Sequence, residues 1–383
     1  MTMRTIAVVT GTRAEYGYLY PLMNAIQHTE GLRLVPLVTG THLFPKFGNT
    51  SELVEHVFPS TVKIPMTLPG DTLKDMALYF ASGVINFVDY LDKNRPDILV
   101  VLGDRSESFA AGLAAFYLNI PIAHINGGDV TGTTIDESIR HALTKIAHIH
   151  FVHTKQNAER VEKMGEEKKR IFVTGALTLD TILQTKLPSK TEVFTNYHLK
   201  EDKATFLVVF HPITTIEDKG YSQLQELFVV LDALKEQTVL FYPNIDAGAD
   251  QLRKLIKTYE DRPYLHTFIN IPHVDYLGLL KSVDVMIGNS SSGIIEAPAF
   301  HIPVVNIGSR QQGRERSINI IDVAPRNDDI QSAIHKALFD KKFRKKIQKY
   351  DNAFGDGHAS ERIVEILKKI EINESLIQKQ ITY

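Results

Sequence analysis

At 383 residues the chain exceeds the usual extent of one hydrophobic core, so two domains are expected. A composition of 43% hydrophobic and 23% charged residues with net charge −2 is that of an ordinary globular protein and gives no electrostatic case for nucleic acid. No apolar run approaches the ~18–20 residues of a membrane span, and the absence of cysteine excludes disulfides and thiolate chemistry.

The chain enters a strand almost at once, at Thr5–Thr10, which argues against a signal peptide and makes the cytoplasm the expected compartment. Further strands are expected at Leu34–Thr39, Asp97–Leu102, Ile122–Ile125, His150–Val152 and Ile171–Thr174. Helices are expected between them at Glu15–His28, Leu73–Leu91, Ser108–Leu118, Glu137–Ala147 and Lys155–Met164. The polar stretch Lys186–Thr191, built around a proline, reads as a linker. Strands resume at Phe206–Phe210, Val239–Tyr242, Leu265–Phe268, Val283–Ile287, Val304–Ile307 and Ile318–Asp322. The intervening helices are Ser222–Lys235, Asp250–Tyr259, Val274–Lys281 and Ile294–Phe300, and Ser360–Lys379 reads as one amphipathic closing helix. Strand–helix alternation of this kind predicts an α/β protein of two doubly wound parallel-sheet domains facing a cleft. Such sheets bind ligands beyond the carboxyl ends of their strands.

The polar clusters fall at those ends. Gly11-Thr-Arg-Ala-Glu-Tyr-Gly17 follows the first strand; it lacks a Walker lysine and a three-glycine fingerprint, which disfavours ATP and NAD, while Arg13 suits a phosphate. Gly103-Asp-Arg-Ser-Glu107 follows the wholly apolar run Ile98–Leu102, placing Asp104 at the rim of a dry sheet beside Arg105. His124-Ile-Asn-Gly-Gly-Asp-Val-Thr-Gly132 and the helix start Asp136–His141 bring Asp129 and Asp136 to the same edge, a set of carboxylates suited to proton transfer. The alternative for Asp104 and for Asp136 is a helix cap, and function is the favoured reading of both. His211, after the first strand of the second half, could donate to a phosphate or act as an acid on a leaving group. His148, His150 and His153 have spacings that do not converge on a metal, and no metal or other cofactor is expected.

Gly288-Asn-Ser-Ser-Ser-Gly-Ile-Ile-Glu-Ala-Pro298 follows the buried run Val283–Ile287. One serine here would be an ordinary helix cap; three between two glycines favour a nucleotide-phosphate cradle, with Glu296 one turn further in, where a ribose hydroxyl could meet it. Gly308–Arg316 adds three guanidinium groups, at Arg310, Arg314 and Arg316.

Taken together, the segments Gly11–Tyr16, Gly103–Arg105, His124–Arg140, Tyr242–Gly248, Gly288–Glu296 and Gly308–Arg314 resemble the hydrolysing UDP-N-acetylglucosamine 2-epimerases of sialic acid synthesis. The resemblance implies a glycosyltransferase-B-type fold, with the nucleotide between the domains and the C-terminal helix, from about residue 362, returning to the first (residues 1–185) from the second (186–361). Matched motif positions imply that Arg13, Arg105, His211, Asn244, Ser290, Ser291, Glu296 and Arg310 hold UDP and that Asp104 and Asp136 do acid/base work. His42-Leu-Phe-Pro-Lys-Phe-Gly48 is a candidate lid with His42 near substrate. Relatives suggest a homodimer or a dimer of dimers. One departure stands out: this chain has Asn126 and Asp129 where the family pattern resembles two glutamates, so Asp129 joins the candidate acid/base set and Asn126 positions the sugar.

The family chemistry implied is anti elimination of UDP to a 2-acetamidoglucal, then addition of water to give free N-acetylmannosamine. A 2,4-diacetamido-2,4,6-trideoxy sugar nucleotide, on the route to legionaminic acid, is the alternative substrate that Asn126 keeps open. A glycosyltransferase or a non-catalytic sugar-nucleotide-binding regulator are the rivals from other classes; the first needs an acceptor, and the second releases nothing.

Overall fold

The computed structural model describes residues 3–70, 72–131, 135–214, 216–218, 220–243, 246, 248–349 and 352–382. The chain divides into two compact units. The first comprises Met1–Asp129, Asp136–Gln184 and Phe354–Tyr383; the second comprises Val130–Ile135 and Thr185–Ala353.

The first unit carries β1 (Arg4–Thr10), β2 (Leu32–Val38), β3 (Val62–Lys63), β4 (Ile98–Leu102), β5 (Ile122–Ile125), β6 (Ile149–Val152) and β7 (Ile171–Val173). Its helices are α1 (Arg13–Gln27), α2 (Ser51–Val57), α3 (Leu73–Lys93), α4 (Ser106–Tyr117), α5 (Ile135–Ile146), α6 (Lys155–Lys163) and α7 (Leu177–Gln184). The strands form one parallel sheet in the order β3-β2-β1-β4-β5-β6-β7. All five residues of β4 are buried, as a strand covered on both faces requires.

The second unit repeats the plan with α8 (Lys190–Asn196), β8 (Thr205–Val209), α9 (Tyr221–Leu234), β9 (Gln237–Phe241), α10 (Ala249–Lys257), β10 (Leu265–Phe268) and α11 (His273–Ser282). It continues through β11 (Val285–Gly288), α12 (Ser292–Ile295), β12 (Val304–Ile307), β13 (Ile320–Val323), α13 (Asn327–Phe339) and α14 (Lys341–Ile347). Its sheet runs β10-β9-β8-β11-β12-β13. One apolar cluster joins Phe206 and Val208 to Leu224, Leu252 and Ile334 on one face; another joins Leu207 and Val209 to Val193 and Leu279 on the other.

The chain then returns to the first unit through α15 (Ala359–Lys369) and α16 (Glu374–Ile377). Ile363 and Leu367 of α15 enter the same core as Leu19 and Leu22 of α1. The start of α15 has no cap of its own; the buried carboxylate of Asp180, on α7, accepts the N–H groups of Ala359 (2.9 Å) and Ser360 (2.6 Å). Arg170 donates to the carbonyls of Leu376 (2.7 Å) and Ser375 (2.6 Å).

Three expectations are corrected. Lys190 and Thr191 belong to α8, whose start is fixed by a reciprocal Ser189–Glu192 capping box, so the linker ends at Ser189. The closing helix is two pieces, because Ile370 leaves helical geometry and Asn373 caps a new turn. The Ile294–Phe300 helix breaks at Glu296: α12 ends at Ile295 and, past Glu296, a 3-10 turn, Ala297–Phe300, follows with Pro298 in its first turn.

Among the described residues no helix is long and apolar enough to cross a membrane. Glu166 is buried and bonded to Lys145 (2.6 Å), Lys379 (2.6 Å) and His150 (3.2 Å). Burial pushes its carboxyl up, but hydrogen bonds from His150, Lys145 and Lys379 outweigh that and hold it at about 2. This depression below the usual 4.5 means its stabilisation is complete above pH 4.5 and is lost as pH falls through about 2. Glu166→Ala should therefore lower unfolding free energy at pH 7 by about 3 kcal/mol in urea titrations. The gap from the parent should close across that acid window.

Candidate functional site

Both sheets reverse strand order beside their first strand, between β1 and β4 and between β8 and β11. A crevice opens at such points beyond the strand ends. In the first unit it is flanked by Gly11–Arg13 and Gly103–Glu107. Arg13 is the first residue of α1, half-buried, with Thr12 capping the helix through the Glu15 N–H (3.1 Å). Arg105 donates from Nε to Glu107 (3.2 Å), and Glu107 is fully buried.

Asp104 forms an ion pair with Arg140 of α5, whose side chain is 0% exposed while that of Asp104 is 22% exposed. A second carboxylate, Glu137, lies 3.6 Å from the same guanidinium. Asp136 is half-buried in the first turn of α5, one turn from Arg140 on the same face. Asp129 is buried in the loop that follows β5. The structure thus gathers Asp104 and the start of α5 around a buried arginine that had not been singled out from sequence. An arginine on the apolar face of an amphipathic helix, beside Leu143 and Thr144, was the available signal.

His124 links two of these loops. Its Nε2 donates to the Gly103 carbonyl (2.7 Å), and Thr144 Oγ1 lies 3.3 Å from Nδ1. Burial lowers its pKa to about 3, so it is a neutral strut at physiological pH. Asn126 has φ 69°, in the left-handed region where asparagine is among the better tolerated side chains. The amide at this position therefore answers a backbone demand as well as any chemical one.

His42 is fully buried. Its ring nitrogens meet Thr10 Oγ1 (3.0 Å) and Thr50 Oγ1 (2.7 Å), and burial lowers its pKa to about 4. The structure does not bring this ring to a surface; it braces the Gly40–Leu43 turn. His148 accepts the Ile122 N–H (3.1 Å) and His150 meets Glu166, so this pair serves the sheet interior.

In the second unit the reversal is closed by Asn289. Its amide accepts the His211 N–H (2.7 Å) and donates to the His211 carbonyl (2.9 Å), fixing the backbone of that histidine from both sides. The Asn289 carbonyl in turn accepts from Arg310 (3.2 Å) and Gln311 (2.8 Å), and Gln311 accepts from Arg314 (3.0 Å). Only glycine fits at 288, where φ is 136° and a Cβ would stand 2.1 Å from the Val209 carbonyl oxygen. That close approach lets Asn289 reach across to His211.

Ser290 and Ser291 are half-buried. Ser290 Oγ accepts the Ser292 N–H (3.3 Å), and Ser291 occupies the cap position of α12 without a side-chain cap bond. Ser292 is turned inward against Tyr276 Oη (2.6 Å). Glu296 is buried with Oε1 3.3 Å from His273 Nε2, a partner that had no sequence signal. Asn244 lies outside the described residues.

Comparisons with known proteins give these halves a family. The model described as UDP-N-acetylglucosamine 2-epimerase matches residues 24–368. The chain is 37% identical over 378 residues to the UDP-N,N'-diacetylbacillosamine 2-epimerase (hydrolyzing) of Legionella pneumophila, covering 98% of this chain and 99% of that one. It is 36% identical over 351 residues to the GDP/UDP-N,N'-diacetylbacillosamine 2-epimerase (hydrolyzing) of Campylobacter jejuni, 90% of each chain. The crystal structure of UDP-GlcNAc 2-epimerase from Neisseria meningitidis bound to UDP-GlcNAc is similar in fold, with TM-score 0.79 and 19% identity over 96% of this chain and 100% of that one. The two doubly wound parallel sheets are those of the glycosyltransferase-B-type fold, and the chain belongs to the UDP-N-acetylglucosamine 2-epimerase family.

Proposed function

We propose that this protein is a hydrolysing 2-epimerase of a UDP-linked 2-acetamido sugar, releasing UDP and the free 2-epimer. The observation that carries this reading is the carboxylate set of the first unit, with Asp104 held by buried Arg140, in a chain whose second unit bears the serine turn and arginines suited to a diphosphate. The favoured substrate is the 2,4-diacetamido-2,4,6-trideoxy form, because the relatives at 37% and 36% identity carry names of that kind. UDP-N-acetylglucosamine, with N-acetylmannosamine as product, is the second reading, supported by the family description.

The chemistry follows from where acidity is needed. C2–H of the bound sugar adjoins no carbonyl, so a carboxylate alone removes it too slowly. As the C1–O bond to UDP breaks, the ring gains oxocarbenium character and C2–H becomes far more acidic. Arg13, Arg105, His211, Ser290, Ser291 and Arg310 would meet the charge developing on the leaving diphosphate, the work that fixed dipoles and cations do best. Glu296 would accept from a ribose hydroxyl, sharing or replacing its His273 contact. A carboxylate of the Asp104, Asp129 and Asp136 set would take the C2 proton, leaving the glycal. Water then adds its oxygen at C1 while a proton returns to C2 from the opposite face. Asn126, unable to accept that proton, would orient the sugar.

Incubation of the protein with each UDP-sugar alone is the test. Release of UDP without an acceptor, with higher kcat/KM for the diacetamido sugar, is expected. No release from either sugar would reject the reading. Asp104→Asn should lower turnover by ~10²-fold or more while UDP still binds, and Asn126→Ala far less, as measured by steady-state kinetics with calorimetry as control. Asn289→Ala should weaken UDP binding by about 1–3 kcal/mol, because it releases the His211 backbone and strands the amide's partners.

A further inference from the structure

Two carboxylates at the β1/β4 reversal have no part in the chemistry above. Glu15 and Glu107 both reach Gly11. Glu15 Oε2 accepts the Gly11 N–H (2.8 Å), while a Cβ added at Gly11 would stand 2.8–3.0 Å from Cγ, Cβ and Cδ of Glu107. Glu15 is 7% exposed and Glu107 0%, so water screens neither. Glu107 accepts from Tyr79 Oη (2.7 Å) and from Arg105 Nε (3.2 Å). Gly40 closes the same junction: its added Cβ would meet Glu107 Oε1 and Tyr79 Oη, each at 2.8 Å.

The charged and titratable groups around the pair come from four directions. Arg105 and Glu107 lie at the start of α4, Tyr79 on α3, Glu15 and Arg13 on the first turn of α1, and His42 on the turn after β2. His42 is neutral, and Tyr79 is held in its phenol form by burial and by Glu107. Arg105 is the cation that opposes the mutual repulsion of the two carboxylates, and Arg13 lies on the same first turn as Glu15. Burial, then repulsion from Glu107, raises Glu15 to about 7, with Arg105 opposing.

We propose that Glu15 and Glu107 are a positioning pair that holds one proton between them and so sets both Arg105 and the Gly11–Arg13 turn for an anionic ligand. The inference rests on the proposed function in taking that ligand to be the nucleotide diphosphate. With the proton present, Glu15 carries no charge against Glu107, and Arg105 balances a single anion. With it gone, two like charges repel each other beside Gly11, and Arg105 is drawn toward them and away from a ligand. Neither glutamate touches the reacting atoms; they act through Arg105 and the turn.

Calorimetry of UDP binding at pH 6 and pH 8 tests this, comparing the parent with Glu15→Gln, a neutral isostere of the protonated form. Titration of the diphosphate itself is common to both proteins and cancels. Between those pH values the parent should lose about tenfold more affinity than E15Q, the factor expected when one proton with a pKa near 7 defines the competent state. An equal loss in both proteins overturns the proposal. Glu107→Gln, which removes the opposing charge, should move the parent's step to lower pH, and a step left in place also overturns it.

If the parent binds no UDP at either pH, the nucleotide reading fails by itself, and the pair is judged by thermal melting. Glu15 has its folded pKa raised from 4.5 to about 7, so its contribution is greatest below pH 4.5 and declines as pH rises to about 7. The parent should lose stability relative to E15Q across that window. Parallel melting curves would reject the shared proton.

Discussion

The backbone at each strand-order reversal is held by one buried polar side chain, and the arrangement of the functional loops depends on that. In the first unit Glu15 accepts the Gly11 N–H while Glu107 packs against Gly11 and engages Arg105 and Tyr79; in the second Asn289 grips His211 at both its N–H and its carbonyl. Parallel strands diverge in their connections at these points, so no sheet neighbour is available to fix the loop that follows β1 or β8. In the second unit a side chain reaching across from the loop after β11 supplies the missing bonds, and in the first unit Glu15 of α1 supplies one to Gly11. Candidate ligand groups then sit on backbone that is already fixed, which limits the ordering cost of binding.

The same economy explains the neutral histidines. His42 and His124 are buried, hold their imidazoles uncharged, and tie loops together through threonine hydroxyls and a glycine carbonyl. At the strand ends, charge is carried instead by the Asp104–Arg140 pair and by Arg13, Arg105 and Arg310. A buried arginine such as Arg140 would be costly without carboxylate partners, so Asp104 and Glu137 stabilise the start of α5 while Asp104 is held at the sheet edge.

Much of the architecture was legible in the chain, because parallel strands buried on both faces read as continuous apolar runs such as Ile98–Leu102 and Phe206–Val209. What escaped had weaker local signals. The two-residue strand β3 pairs only with the end of β2, and α13 keeps a helical apolar spacing at Ile330, Ala333, Ile334 and Ala337 behind a heavily polar surface. The α12 break follows from Pro298, and the split of the closing helix from a cap at Asn373, both visible only once weighed against the apolar stripe. Loop positions could be placed from strand ends, but partners such as Arg140, Asn289 and His273 come from distant sequence and obey no local spacing. Asn126 is the instructive case: family pattern made it a chemical departure, whereas its φ of 69° shows a backbone reason for an amide there.

In the proposed reaction, proton transfer at C2 accompanies loss of UDP, with carboxylates of the first unit as the proton carriers. Carrying the reaction out in heavy water and reading the released sugar by NMR addresses it most directly. The expected product is a free sugar of inverted C2 configuration with one deuterium at C2 per turnover. A released sugar that keeps protium at C2, or that keeps its original configuration, would contradict it.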